Sequence, residues 1–117
     1  MTNILLAEDD ETMVSLLKTL LTLEGFDVAS VDTAEKNLLS RVRNRTPKVL
    51  LLDVHLPHEN GVDILRALRK DGELADTRVV MTSGMNLKDE CIASGADAFL
   101  LKPYMQDDLI QILRQYL

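Results

Sequence analysis

The sequence predicts an α/β fold, a single domain built on a five-stranded parallel sheet with helices on both faces. Three observations lead there. Short strand-like apolar runs alternate with longer amphipathic ones along the whole chain. The third run, Val49 to Asp53, is apolar on consecutive positions, as in a central strand buried on both faces. At 117 residues the chain has room for one domain only.

The elements follow in order. Ile4-Leu5-Leu6-Ala7 reads as a buried first strand. From Glu11 to Glu24 the apolar residues Met13, Leu16, Leu17, Leu20 and Leu21 recur at helical spacing, with Asp10 as N-cap and Gly25 as stop. Phe26 to Val31 is expected as the second strand. Asp32-Thr33-Ala34-Glu35 has the form of a capping box and is expected to open a helix reaching about Asn44, which must end before Pro47. After the Val49–Asp53 strand comes a loop with Pro57 and Gly61, then a helix carrying Val62, Ile64, Leu65 and Leu68. Arg78 to Thr82 is the predicted fourth strand, Asn86 to Ser94 a short helix and Ala98 to Leu101 the fifth strand. The last helix starts near Met105 and puts Leu109, Ile112, Leu113 and Tyr116 on one face.

Composition narrows the function. Hydrophobic residues make up 46% and charged residues 27%, a globular balance. With 19 acids against 13 bases the net charge is −6, which argues against direct nucleic-acid binding by this domain. The basic run Arg41, Arg43, Arg45 and Lys48 reads as a solvated helix end. A single cysteine, Cys91, excludes an internal disulfide and any Cys-rich zinc cluster, and suits a reducing compartment. Glu8, Asp9 and Asp10 interrupt the apolar Asn3–Ala7 run, so no signal peptide is read there. Val49–Leu56 contains Asp53 and is too short to span a bilayer. A soluble, cytoplasmic domain with no membrane partner is expected.

Open α/β sheets bind ligands at the carboxyl ends of their strands, where strand order reverses. In the flavodoxin-like order 2-1-3-4-5 that point lies between strands one and three. Glu8, Asp9 and Asp10 follow strand one and Asp53 ends strand three, so one crevice would collect several carboxylates. These repel one another unless a cation relieves them, and Mg2+ with oxygen ligands is the simplest remedy. Ser83 and Lys102 fall at the same end of the sheet. Acids, a hydroxyl and an ammonium together suit phosphoryl transfer, with Asp53 as the candidate nucleophile.

These segments closely resemble a bacterial response-regulator receiver domain over essentially residues 1–117. The resemblance rests on Ile4-Leu-Leu-Ala-Glu-Asp-Asp-Glu11, Leu51-Leu-Asp-Val-His-Leu-Pro-His-Glu-Asn-Gly61, Met81-Thr-Ser-Gly84 and Gly95-Ala-Asp-Ala-Phe-Leu-Leu-Lys-Pro103. It implies Asp53 as phosphoacceptor, and Glu8 and Asp9 as the acidic pair holding Mg2+, with Mn2+ as an alternative ion. It implies that the main-chain carbonyl of His55 completes the metal site, that Ser83 supplies the hydroxyl for the phosphoryl group and that Lys102 ion-pairs with it. It also implies that Phe99 changes rotamer on activation and that the Lys102–Pro103 bond is cis. Thr82 adjoins Ser83 and is the other candidate hydroxyl; Ser83 is preferred because Gly84 then fills the small-residue position after it. The segment between Ser83 and Lys102 is shorter than usual by roughly one helical turn, which bears on the partner-binding fourth helix.

The expected function is therefore a phosphoacceptor switch in a two-component phosphorelay. Its donor would be a sensor histidine kinase or phosphotransfer protein, and its output a changed partner affinity on the face of helix 4, strand 5 and helix 5. Its only catalysis would be its own phosphoryl transfer and autodephosphorylation. Two alternatives stand beside it: an Asp-nucleophile phosphatase of the haloacid dehalogenase kind, and a degenerate receiver acting by constitutive binding. The phosphatase motif wants a second acid two residues after the nucleophile, where this chain has His55. His55 and His58 are otherwise read as loop histidines, Met85 and Met105 as packing residues, and Cys91 as a buried small hydrophobe.

Overall fold

A computed structural model describes residues 3–117. In chain order the elements are β1 (Ile4–Ala7), α1 (Glu11–Leu23), β2 (Val28–Ser30), α2 (Leu38–Arg45), β3 (Val49–Asp53) and α3 (Gly61–Arg69). A 3-10 turn (Gly72–Leu74) follows, then β4 (Arg78–Ser83), α4 (Lys88–Ala93), β5 (Ala98–Leu101) and α5 (Gln106–Tyr116). All strand pairs are parallel and the sheet order is β2-β1-β3-β4-β5, as predicted. No helix among the described residues is long and apolar enough to cross a membrane.

Strand alternation divides the core in two. Leu5, Ala7, Leu50, Leu52, Val79 and Met81 face α2, α3 and α4, where Val42, Leu65, Leu68 and Cys91 meet them. Ile4, Leu6, Val49, Leu51, Val80 and Leu100 face α1 and α5, packing on Leu17, Leu21, Leu109 and Leu113. Every residue of β3 is buried, which is why it lacks polar alternation. The expected caps form on α1, where the Asp10 carboxylate accepts from Met13 N–H at 3.1 Å, and Gly25 takes the left-handed conformation at φ 92° after the helix ends.

Three boundaries depart from expectation. The capping box at Asp32 does not start a helix. Its carboxylate accepts from Ala34 N–H at 2.8 Å, an Asx turn, while Glu35 pairs with Arg41 instead of reaching back. Helix α2 begins six residues later, behind Asn37 in the left-handed conformation, and Glu59 of the β3–α3 loop accepts from Leu38 N–H at 3.1 Å. Strand β2 is confined to three residues. Strand β4 runs one residue beyond its predicted end and takes in Ser83. A clamp with no motif of its own closes the far end of the sheet. Arg69 donates to Gly95 O (2.8 Å), Thr77 O (2.7 Å) and Asp97 Oδ2 (2.8 Å), and Asp97 also accepts from Val79 N–H.

Gly61 sets the approach of α3 to the end of β3. Its N–H donates to Val54 O at 2.7 Å, and a Cβ there would stand 2.3 Å from Asp53 O and 2.9 Å from Val54 Cα. Both neighbours are backbone, so neither can swing away. Gly61→Ala is expected to destabilise the domain by about 3 kcal/mol, the upper end for overpacking, measured by urea denaturation. An unchanged midpoint would mean that the loop yields freely.

Candidate functional site

The register of the sheet assembles the site. Ala7 pairs with Leu52 and Asp53 with Thr82, so Glu8, one residue beyond β1, comes level with Asp53 at the carboxyl edge. Lys102 follows β5, and its bond to Pro103 is cis. The Lys102 Nζ donates to Glu8 Oε2 at 2.6 Å and to Asp53 Oδ2 at 2.9 Å. Glu8 and Asp53 are buried, at 9% and 5% exposure, while Asp9 is exposed. The remaining oxygens are bound by main chain: Asp53 Oδ1 accepts from His55 N–H at 3.1 Å, and Glu8 Oε1 from Asp10 N–H at 3.2 Å.

The electrostatics follow from this packing. Burial pushes the Glu8 carboxyl above its ordinary pKa, outweighing the hydrogen bonds from Lys102 and Asp10; the charge of Asp53 adds to the rise. Burial alone would lower the Lys102 pKa, but its hydrogen bonds to Glu8 and Asp53 prevail and raise it. Tyr104, two residues on, is pushed up to about 12, mainly by burial; Lys102 opposes the rise, and Glu8 and Asp53 add to it. Lys102 is thus the cation that relieves the buried acids.

One carboxylate oxygen each from Glu8, Asp9 and Asp53 lies within 4.8 Å of the others, a spacing one ion can bridge. Three hard oxygen donors of net negative charge fit a divalent cation of the Mg2+ class. The predicted residues Glu8, Asp9, Asp53 and Lys102 are therefore brought together, and His55 reaches the site through its main chain.

Ser83 is the last residue of β4, one beyond the strand end expected. Thr82 is the register partner of Asp53, whereas Ser83 pairs with Leu101, one step further along β4. Successive strand residues point to opposite faces, so Thr82 shares the face of Asp53 and Ser83 shares that of Phe99. The Ser83 hydroxyl is fully buried and accepts from Met85 N–H at 3.0 Å, closing the turn after β4. Phe99 is half-buried against the α2–α4 core, opposite the acids.

Comparison with known proteins agrees with this geometry. The family described as "Response regulator receiver domain" matches residues 4–114. The chain is 36% identical over 120 residues to the transcriptional regulatory protein CpxR of Escherichia coli K12, covering all of this chain and 50% of that protein. It is 34% identical over 113 residues to the DNA-binding response regulator MtrA of Mycobacterium tuberculosis, covering 95% of this chain and 48% of the relative. The chain thus spans about half the length of the curated relatives it matches. Among solved structures, the Francisella response regulator 1452 receiver domain superposes with TM-score 0.87 at 28% identity, covering 99% of this chain and 96% of that one. The receiver domain of sensor histidine kinase PA1611 from Pseudomonas aeruginosa PAO1, described with a magnesium ion coordinated in its active site cleft, gives 0.83 at 22% identity, with 97% and 94% covered.

Proposed function

This chain belongs to the response-regulator receiver-domain family, a phosphoacceptor switch of two-component signalling, and from that premise we propose that Asp53 is its phosphoacceptor. The observation that carries this is the convergence of Glu8, Asp9, Lys102 and Asp53 at the carboxyl edge of the sheet. The donor is a sensor histidine kinase or phosphotransfer protein bearing phosphohistidine. A carboxylate oxygen of Asp53 bonds to phosphorus, the P–N bond breaks, and the imidazole leaves and takes up a proton. Water later hydrolyses the acyl phosphate and resets the domain.

Each residue has a task in that sequence. Asp53 is held by His55 N–H and Lys102, with one oxygen fixed by each. Lys102 sits where charge develops on the transferring group and neutralises it. Glu8, Asp9 and Asp53, with the main-chain carbonyl of His55, would hold Mg2+, or Mn2+ in its stead. Such an ion supplies positive charge to the phosphoryl oxygens when bound. Output would run through the region of α4, β5 and α5, where Ile92, Leu101 and Met105 are exposed apolar residues. Phe99 in β5 would report the change, with the downstream protein partner docking there. The relatives' DNA-binding description belongs to whole proteins, and the net charge of −6 does not suit this chain to that task. The domain would work in the cytoplasm.

Intact-mass spectrometry after incubation with acetyl phosphate, with and without Mg2+, tests this. One Mg2+-dependent phosphoryl adduct is expected; no adduct, together with no response to beryllofluoride and Mg2+, would sink the reading. The phosphoryl-binding hydroxyl is proposed to be that of Ser83, with Thr82 the neighbouring candidate. Ser83→Ala is expected to slow labelling about tenfold, the value of one lost charge-assisted hydrogen bond, and Thr82→Ala less than about twofold. The reverse ranking, read from adduct build-up over time, would move the role to Thr82.

A further inference from the structure

Beside the acid cluster a cleft of about 690 Å³ opens between the start of α1, the β2–α2 loop and Pro57. We propose that it receives the ammonium or guanidinium head of a basic side chain on the phosphodonor protein. The proposal rests on the phosphoacceptor reading for the identity of that partner. Beyond Glu8 and Asp9 the cleft is lined by Glu11 and Asp32, with no basic residue among the lining. Among the described residues, Asp9, Glu11 and Asp32 take part in no ion pair. A nearby base, Arg41, is turned to Glu35 and to the main-chain carbonyl of Asp32.

A second feature points to a ligand. Thr33 is 8% exposed and lines the cleft, and its hydroxyl makes no hydrogen bond among the described residues. A donor-bearing group seated in the cleft beside this residue would offer the hydroxyl a partner. A second compact metal ion is the wrong occupant. The carboxylates that converge closely enough are Glu8, Asp9 and Asp53, and neither Glu11 nor Asp32 joins such a group. Spread acids, a hydroxyl and the apolar flanks Val14 and Pro57 fit a cation on an apolar stem, which keeps its stem on carbon and its head in polar surroundings.

Charge explains why the donor would bring it. A phosphohistidine protein delivers an anionic group to the mouth of an acidic domain, and the two repel at approach. A basic side chain set beside the phosphohistidine offsets that repulsion and steers the encounter.

NMR titration of the 15N-labelled, Mg2+-saturated domain with n-propylguanidinium, and with n-propylurea as its neutral isostere, tests the assignment. The cation is expected to shift the Ser15, Asp32, Thr33 and Ala34 amides saturably in the millimolar range, as one unaided side-chain head would, and more weakly in high salt. Asp32→Asn should weaken it about fivefold, the value of one exposed charge, with acetyl phosphate labelling of Asp53 unchanged. Equal shifts from the urea, or an unchanged affinity in Asp32→Asn, would overturn the proposal. Spermidine saturating at micromolar concentration would make this a free-polyamine site and overturn the assignment to a partner side chain. The parent reading fails separately: cation binding without any Mg2+-dependent adduct would leave an organic-cation cleft and remove the phosphodonor from it.

Discussion

Asp53→Asn is expected to abolish the Mg2+-dependent phosphoryl adduct, with labelling by acetyl phosphate at least about a thousandfold below wild type. The size follows from the chemistry lost. On the proposed reading the carboxylate is the attacking group and one of three acids whose oxygens lie within 4.8 Å of one another, so the amide would remove both nucleophile and metal ligand. Packing is barely touched: the side chain keeps its shape, its oxygen can still accept from His55 N–H, and Lys102 keeps Glu8. The melting temperature should stay within about 5 °C of wild type, a change near 1 kcal/mol for a domain of this size. That pairing of lost labelling with a kept fold marks a chemical role. A persistent adduct in a folded variant would place the phosphoryl group elsewhere, and the mass of the labelled peptide would say where.

The sheet was legible because its signals are strong and local. Consecutive apolar residues in Val49–Asp53 can only be buried on both faces, and the Lys-Pro pair after β5 marks a strand end. Parallel order then brings Glu8 to Asp53 without any information on side chains. What the sequence obscured were places where a tertiary contact overrides a local motif. Asp32 and Glu35 have the spacing of a capping box, but Ala34 N–H and Arg41 compete for their carboxylates. Helix α2 then starts where Glu59, 21 residues away in sequence, can reach it. The end of β4 was missed by one residue. Whether β4 ends at Thr82 or Ser83 is a one-residue question, and in a strand one residue decides the face. The Lys102 bridge between Glu8 and Asp53 carries no sequence signal beyond residue type, since it spans 94 and 49 positions.

Lys102→Met should be the most destabilising change at the site when divalent cations are absent. Lys102 is the counter-charge of two carboxylates that are over nine-tenths buried, and methionine fills the volume without the charge. Breaking a fully buried pair costs about 3–5 kcal/mol; Lys102 retains 24% side-chain exposure, so water screens part of the loss. A loss of about 2 kcal/mol is expected, near 10 °C in melting temperature. Because the folded-state pKa of Lys102 lies above its unfolded value, its contribution is complete at neutral pH. That contribution disappears only as pH rises through the folded value, beyond the ordinary lysine range. Glu8 behaves with the same sign at the acid end. Its folded-state pKa is also raised, so it favours the fold fully below its unfolded value and loses that as pH rises through the folded one. The deficit of the variant should therefore narrow as pH falls through the carboxylate range. Mg2+ should narrow it too, since an ion bound by Glu8, Asp9 and Asp53 replaces the missing charge and stabilises the folded state by mass action. The variant should gain more from Mg2+ than wild type does, because no ammonium competes for its carboxylates. Thermal melts across Mg2+ and pH would read both effects. If Mg2+ raised the two proteins equally, the ion and Lys102 would not share these carboxylates, and the cation site would have to be sought away from Asp53.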